Sequence, residues 1–182
     1  MLAFLLTRHT MLIAQTNRLK IRQIVSKDAQ FLLKLYNQPA FLKNIGDRGV
    51  NSLNQAARFI ETTQKHYQED GFWLYLLEEI STGIPIGING LIQRDYLNAP
   101  DIGFAIDEQH WRKGYAYESS QAIIQHAQSL GYKEIVAITN PENQNSIQLL
   151  LKLGFDFSKC DDFEGNGEAI NLYKISILGK NS

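Results

Sequence analysis

The chain has 182 residues, of which 44% are hydrophobic and 20% charged, and its formal net charge is −1. This composition is typical of one globular domain with a buried core, and it argues against a nucleic-acid-binding surface or a polybasic membrane anchor. The single cysteine, Cys160, excludes an intrachain disulfide framework and a zinc site built from cysteines, and it fits a reducing cytoplasm. Because the net charge is close to zero, any anion-binding site must be local.

The first fifteen residues precede the first regular pattern of the chain. Their apolar run is broken by Arg8 and His9, so it is far shorter than the roughly 20 residues that cross a bilayer. The run has no basic segment before it and no convincing cleavage site after it, which argues against a secretory signal. We expect residues 1–15 to be an N-terminal extension, with a partner-binding arm as the alternative, and residues 16–178 to form one domain.

One strand and two helices are predicted next. Arg18–Ile24 alternates apolar and polar residues, as a half-buried strand does. Ser26 is expected to cap a helix that Pro39 ends, and Ser52 to cap a second helix that Gly71 ends. Both predictions depend on apolar residues that recur at helical spacing.

Three strands follow with short connections between them. A turn joins Phe72–Ile80 to Ile84–Arg94, which predicts a hairpin, and Asp101–Asp107 comes after a short loop. Because hairpin-length connections join antiparallel strands, the sheet cannot be purely parallel.

Helices and strands alternate in the last third of the chain. A helix is predicted from about Tyr115 to Leu130, then a buried strand at Glu134–Thr139, a helix that ends at Gly154, and two final strands. The order β-α-α-β-β-β-α-β-α-β-β indicates a mixed α/β layer protein.

The segment HWRKGYAYESS, between a strand and a helix, is the candidate binding loop. The free N–H groups of a helix start point outward, and the helix dipole is positive there, so strand–loop–helix junctions bind phosphate. Gly114 allows close approach, while Arg112 and Lys113 add positive charge. From this segment alone, a pyrophosphate site on residues 112–117 and a solvated basic turn both remain open. The segment lacks the pattern of a Walker loop and that of a dinucleotide-binding fingerprint.

A second motif resolves this choice. The loop reads Trp111, Gly114, Tyr115, Ala116 and Glu118, and NPENQNSIQLLLKLGF follows at 140–155. Together they resemble the GNAT superfamily of acyl-CoA-dependent N-acetyltransferases, and the tryptophan resembles its ribosomal-protein (RimJ/RimL-like) branch. The segments TNRLKIRQI, PIGINGL and DIGFAID are similar to further motifs of that branch, in the same order.

The resemblance implies a fold and a donor site. The fold is α/β of the α+β type, a mixed and mostly antiparallel sheet flanked by helices, with a splayed central strand pair whose first strand carries a bulge. Acetyl-CoA is the implied cosubstrate, with its pantetheine in the gap of that pair and its pyrophosphate on the loop. The implied cofactor-binding residues are Phe104, Ala105, Ile106, Trp111, Arg112, Lys113, Gly114, Tyr115, Ala116, Tyr117, Asn143 and Ser146.

The resemblance also suggests catalytic residues. Ser146 is the candidate acid that protonates the leaving thiolate, with helix-start capping as its alternative role. A capping role at the start of a helix is sufficient to account for Asn143. In the family, this asparagine also contacts pantetheine. Asp101 is the candidate base, acting through water, with strand-edge solvation as the alternative. We interpret Glu118 as structural and His110 as a bystander, and no metal site is indicated.

The acceptor is less defined than the donor. In the family, the region corresponding to Leu42–Ser52 covers the acceptor site, so Asp47 and Arg48 are candidate contacts. The leading hypothesis is direct attack of an amine on the thioester, with a protein N-terminus or a small molecule as acceptor. The alternative is a non-catalytic CoA-binding sensor or scaffold. Neither nucleic acid nor membrane is an expected partner, and a homodimer is expected only from the habit of the branch.

Overall fold

The computed structural model describes residues 11–163 and 165–178. Within these ranges, the strands are β1 (Leu12–Gln15), β2 (Leu19–Arg22), β3 (Leu74–Glu79), β4 (Pro85–Ile92), β5 (Asp101–Ile106), β6 (Glu134–Thr139), β7 (Asp156–Asp161) and β8 (Ile170–Ser176). The helices are α1 (Ala29–Tyr36), α2 (Pro39–Asn44), α3 (Leu53–Glu69), α4 (Tyr115–Ser129) and α5 (Gln144–Lys152). Residues 1–10 of the expected extension lie outside the described residues.

One mixed sheet contains all the strands of the described ranges, in the order β1-β2-β3-β4-β5-β6-β8-β7. Every neighbouring pair is antiparallel except β5 and β6. Those two are parallel because α4 forms the crossover between them, as parallel neighbours require. The predicted mostly antiparallel sheet flanked by helices is confirmed.

The central strands β5 and β6 splay apart. Their register contains only the pair Asp101 and Val136, whereas β5 pairs with β4 along its whole length. The two strands therefore separate toward Ile106, which confirms the expected gap. The prediction of a bulge in β5 is wrong, because the register of β5 with β4 runs without a shift from Asp101 to Ile106.

The two faces of β5 lie against different helices, since side chains alternate along a strand. Ile102, Phe104 and Ile106 belong to the apolar cluster that includes residues of α4. Ala105 belongs to the cluster formed with α1, α2 and α3. Asp101 has the same parity as Ala105, so its side chain faces the layer of α1–α3.

Three features of the fold differ from the sequence-based expectation. Ser26 does not cap α1, because it is the first residue of a 3-10 helix, Ser26–Asp28, that precedes α1. β1 pairs antiparallel with β2, so the sheet includes four residues on the N-terminal side of the expected boundary at Thr16. Pro39 does not end a helix: α1 ends at Tyr36, and Pro39 is the first residue of α2. Proline is well suited to that position, because its fixed φ matches a helix and its missing N–H would be unpaired there.

Candidate active site

The loop after β5 is anchored at its first residue. The buried carboxylate of Asp107 accepts hydrogen bonds from Lys34 Nζ at 2.6 Å and Gln38 Nε2 at 2.9 Å. Burial opposes ionisation of Asp107, but these donors outweigh it and hold the pKa of the carboxyl below its usual range. The loop therefore leaves the sheet in a direction fixed by α1 and the start of α2.

Residues 112–117 present a row of main-chain donors. Arg112 and Gly114 lie in the left-handed region, with φ values of 60° and 82°, and such residues turn successive N–H groups to one concave side. Within the described part of the chain, the N–H groups of 112–117 donate to no protein acceptor. The first helical bond of α4 runs from Glu118 N–H to the Gly114 carbonyl at 3.1 Å. The row can therefore hold an anion at the positive end of the helix dipole.

Glu118 holds this loop to the connection between β1 and β2, at one edge of the sheet. Its carboxylate accepts from the Thr16 hydroxyl at 2.6 Å and from Arg18 Nε at 2.7 Å. The Arg18 guanidinium also donates to the Lys113 carbonyl at 2.9 Å. Burial alone would raise the pKa of Glu118, but the bonds from Thr16 and Arg18 hold it below its usual range. We call these three side chains, Thr16, Arg18 and Glu118, the clasp; through it, Glu118 holds the loop to the segment between β1 and β2.

The aromatic residues of the loop are also tied to the scaffold. Trp111 Nε1 donates to the Ile106 carbonyl at 2.7 Å, although 43% of the tryptophan is exposed. The Tyr115 hydroxyl donates to Glu79 of β3, and the carboxylate raises the pKa of that tyrosine. These contacts leave the ligand-facing part of the loop to its main chain.

The register of β5 shows which of its main-chain groups face the gap. Asp107 N–H donates to the Ile86 carbonyl at 2.9 Å. Since N–H groups alternate in direction along an antiparallel strand, Ala105 N–H points toward β4, while those of Phe104 and Ile106 point toward β6. The described register with β6 gives Phe104 and Ile106 no partner there. Two N–H donors therefore line the splayed gap.

The start of α5 bounds the other side of the gap, because it follows β6. Asn143 caps α5, and its side-chain oxygen accepts from Ser146 N–H at 3.2 Å, which confirms the predicted cap. Ser146 is half-buried, and its hydroxyl forms no hydrogen bond among the described residues. Lys152 Nζ of α5 lies 4.6 Å from the ring centre of Tyr117, so this helix contacts the first turn of α4.

Asp101 lies at the closed end of the gap and is only 2% exposed. Its carboxylate accepts from Arg94 Nε at 2.8 Å and from Ile138 N–H at 3.3 Å, so it occupies the point where the two strands separate. Burial raises the pKa of Asp101 to about 6, although Arg94, Ile138 N–H and the more distant Arg48 oppose the rise. The structure thus puts the expected base on the face of α1–α3 and the expected phosphate loop at the opposite end of β5.

The described residues offer neither a metal centre nor a membrane span. Among residues 11–163 and 165–178, no group of three or more His, Cys, Asp or Glu side chains could hold a metal ion. In the same ranges, no helix is both long and apolar enough to cross a membrane.

A mostly antiparallel sheet with one splayed parallel pair, flanked by helices, is the fold of known acetyltransferases. The model of the acetyltransferase (GNAT) domain matches residues 18–156, so this chain belongs to the GNAT acetyltransferase family. Among curated proteins, the uncharacterized N-acetyltransferase YoaA of Bacillus subtilis (strain 168) is 31% identical over 147 residues. That match covers 79% of this chain and 82% of YoaA.

Two solved structures share the fold at low identity. RimL, a ribosomal L7/L12 alpha-N-protein acetyltransferase in complex with coenzyme A, has a TM-score of 0.77 at 18% identity, covering 91% of this chain and 98% of RimL. The microcin C7 self-immunity acetyltransferase MccE, in complex with acetyl-CoA and AMP, has a TM-score of 0.74 at 19% identity, covering 88% and 93%. At these identities the likeness shows the fold.

Sequence reasoning missed the clasp. Thr16 and Glu118 are 102 positions apart, and no local pattern joins residues at such separation. A signal was present, because TNRL and WRKGYAYE both stand out as motifs. What the sequence could not give was that the two motifs contact each other.

Proposed function

We propose that this protein transfers an acetyl group from acetyl-CoA to a primary amine. The observation that carries the proposal is the presence of two sets of main-chain donors without a protein acceptor in the described residues, one along the gap and one on the loop. Phe104 and Ile106 N–H line the gap, and the N–H groups of 112–117 follow at the start of α4. This spacing of neutral donors and a helix dipole suits an extended ligand with an amide-rich arm and a pyrophosphate.

The loop supports this fit at its glycine. A Cβ built on Gly114 would lie 3.4 Å from Arg18 Nη2, and the φ of 82° disfavours side chains there. Gly114 therefore lets the loop main chain reach both the clasp and a bound anion. When bound, acetyl-CoA would supply the thioester whose C–S bond breaks as the amine forms the new C–N bond.

The protein's part in this reaction is to position groups and move protons. Phe104 or Ile106 N–H can donate to the thioester oxygen, where negative charge grows during attack. An amine must be neutral to attack, and it must lose a proton once the C–N bond has formed. The leaving sulfur must gain a proton unless it departs as a thiolate.

Asp101 is the proposed base for the amine proton. A carboxyl whose pKa is raised to about 6 is ionised at neutral pH yet accepts a proton more readily than an ordinary aspartate. Because Asp101 is buried and bonded to Arg94 and Ile138 N–H, the proton reaches it through a water. Below about pH 6 Asp101 is protonated, so the rate should fall with decreasing pH.

Ser146 is the proposed acid for the sulfur. Its hydroxyl has no bonding partner in the described residues, it is half-buried, and Asn143 fixes the backbone at the start of α5. A free hydroxyl at this position is available to donate to a thiolate. The capping role is accounted for by Asn143, so capping does not require the Ser146 side chain.

The ribosomal-protein branch is part of the proposal. Trp111 at the first motif position supports it. A protein N-terminus and a small amine both remain candidate acceptors at this level, because the donor site is shared by either use.

The test follows free thiol released from acetyl-CoA with a panel of amines and peptides. We expect thiol release that depends on the acceptor and falls about tenfold or more in Ser146→Ala, a typical loss for a positioned acid. Ser158→Ala on the exposed strand β7 is the matched control and should leave the rate unchanged. Tight CoA binding without turnover on any acceptor would instead favour the sensor or scaffold alternative. Absence of CoA binding would overturn the proposal.

A further inference from the structure

A cleft lies between α3 and the loop that precedes it. Its volume is about 340 Å³, enough for a small ligand or the end of a peptide. Its lining residues are Arg48, Gly49, Val50, Gln55, Arg58, Phe59 and Thr62. Val50 is buried and Phe59 half-buried, and these two residues form an apolar floor. Arg48 and Arg58 also line the cleft and are exposed.

Three other arginines of the described residues have carboxylate partners that Arg48 and Arg58 lack. Arg18, Arg22 and Arg94 each form an ion pair with a carboxylate. In the described ranges, neither Arg48 nor Arg58 has a salt bridge or a hydrogen bond to any residue. Two like charges at one cleft repel each other, so an anion bound between them would relieve that repulsion.

The cleft is electrostatically connected to the proposed base. Arg48 lowers the pKa of both Asp101 and Tyr36, so its guanidinium lies within range of each. The ring of Tyr36 is 5.1 Å from that of Phe59 in the cleft floor. Asp101 faces the layer of α1–α3, to which all these residues belong. An acceptor in the cleft can therefore extend along that face toward Asp101.

We propose that Arg48 and Arg58 bind a carboxylate of the acceptor, so that the substrate of this protein is a primary amine that also carries an anionic group. The proposal rests on the acetyl transfer proposed above and names the chemical class of its acceptor. Arginine suits this role because its planar guanidinium can bind a carboxylate through two hydrogen bonds. The same chemistry is offered by a free amino acid and by an acidic residue near a peptide N-terminus.

The experiment compares matched acceptors that differ only in charge. One arm uses free amino acids against their carboxamides, and the other uses peptides with Asp or Glu after the N-terminal residue against the same peptides with Asn or Gln. We expect kcat/KM to favour the anionic member of at least one pair about tenfold or more, with the preference shrinking as salt is added. The arm that shows it identifies the source of the carboxylate.

Variants assign the preference to the cleft. Arg48→Gln and Arg58→Gln should each reduce the preference several-fold, and the double variant should abolish it, while the KM for acetyl-CoA stays unchanged. Lys65→Gln, an exposed cation further along α3, is the matched control and should keep the full preference. A preference that survives in the double variant would overturn the proposal, as would equal rates for neutral and anionic acceptors in the unmodified protein.

A binding measurement separates this proposal from the proposed function. Calorimetry with CoA present compares the N-acetylated amino acid or peptide with its amide-capped form. If no acceptor releases thiol, the proposed transfer fails. A cleft-dependent preference for the anionic product would still support the anion site, and equal or absent binding of both products would overturn it.

Discussion

The two sides of β5 differ in what recognises a ligand. On the side of α4, the donors are main-chain N–H groups of the gap and of residues 112–117. On the side of α1–α3, the available groups are side chains: the buried Asp101 and the exposed Arg48 and Arg58. A main-chain site depends on backbone shape, whereas a side-chain site depends on the identity of each residue.

This difference explains why the family motifs report the donor better than the acceptor. Backbone shape imposes a small residue or a left-handed conformation at fixed spacing, which leaves a pattern such as Gly114 and Ala116. Side chains that meet across a cleft leave no such pattern, since Arg48 and Arg58 come from different elements. The donor side should thus respond to changes of backbone geometry and the acceptor side to changes of charge.

The largest effect is expected on the acceptor side, from Asp101→Asn. The substitution keeps the shape but removes the base, and we expect kcat/KM to fall by about 10² to 10³. In the unmodified protein the acidic limb of the rate profile should lie near pH 6, where the raised pKa of Asp101 lies. That limb should disappear in the variant. Steady-state kinetics across pH measures both.

The control is Asp156→Asn on exposed β7, which should leave the rate unchanged.

Stability gives a second readout of the raised pKa of Asp101. Because the folded-state pKa of Asp101 is raised from 3.8 to about 6, the folded state binds the proton more tightly than the unfolded state. The stabilisation of the folded state that comes from protonated Asp101 is therefore present below about pH 4 and is lost as pH rises toward 6. Asp101→Asn should remove this pH dependence of the free energy of unfolding; a variant with full activity would exclude Asp101 as the base.

The next largest effect is expected on the donor side, from Gly114→Asp. Aspartate tolerates the left-handed backbone better than most residues, so the loop should keep its shape while a negative charge enters the anion site. We expect the affinity for CoA to fall about 100-fold, measured by calorimetry, because the new carboxylate would repel the pyrophosphate at close range.

Gly131→Asp provides the matched control. Gly131 has a similar φ of 90°, lies after the other end of α4, and a Cβ added there would meet no atom within 4 Å. It should lose comparable stability but keep its affinity for CoA. Equal losses of affinity in both variants would show that the effect is on folding and that the loop is not the anion site.

A smaller effect is expected from Glu118→Gln in the clasp. The carboxylate of Glu118 is partly buried and binds Thr16 and Arg18, so its neutralisation should lower the free energy of unfolding by about 1–2 kcal/mol. The KM for acetyl-CoA should rise several-fold because the loop is less fixed. Chemical denaturation and kinetics check the two effects, with Glu69→Gln at the exposed end of α3 as control. An unchanged KM would show that the clasp serves stability alone.

The smallest effect, and one of opposite sign, is expected from Arg112→Gly. Arg112 has a φ of 60°, which costs a non-glycine residue roughly 1 kcal/mol. The variant should therefore be about as stable as the unmodified protein or slightly more so, while its affinity for CoA falls a few-fold through the lost charge. Thermal unfolding and CoA titration measure the two changes. A large loss of affinity would mean that the side chain, and not the main chain, dominates the donor side.

Much of the fold could be predicted from the sequence, because apolar periodicity reports the face that each element buries. The misses have physical causes. β1 has no buried residue over its four positions, so it leaves little apolar alternation to detect. Pro39 follows a helical pattern and so suggests a helix end, although the same properties of proline favour the first position of the next helix.

The candidate site was predictable where it is local. The cap at Asn143 follows from residue type and position, and it is confirmed. The ion pair of Asp101 with Arg94 and the clasp of Glu118 depend on how strands and helices pack. No spacing along the chain encodes those contacts, so they required the structure.

Trp111 also gives the loop an intrinsic fluorescent probe. The chain has only two tryptophans. The other, Trp73, is stacked on His66 with ring centres 3.6 Å apart and lies away from the loop. Trp111 is partly exposed and bonded to the last residue of β5. In a Trp73→Phe background, the indole emission therefore comes from the junction of gap and loop alone, and its change on titration reports ligand arrival without any chemical label.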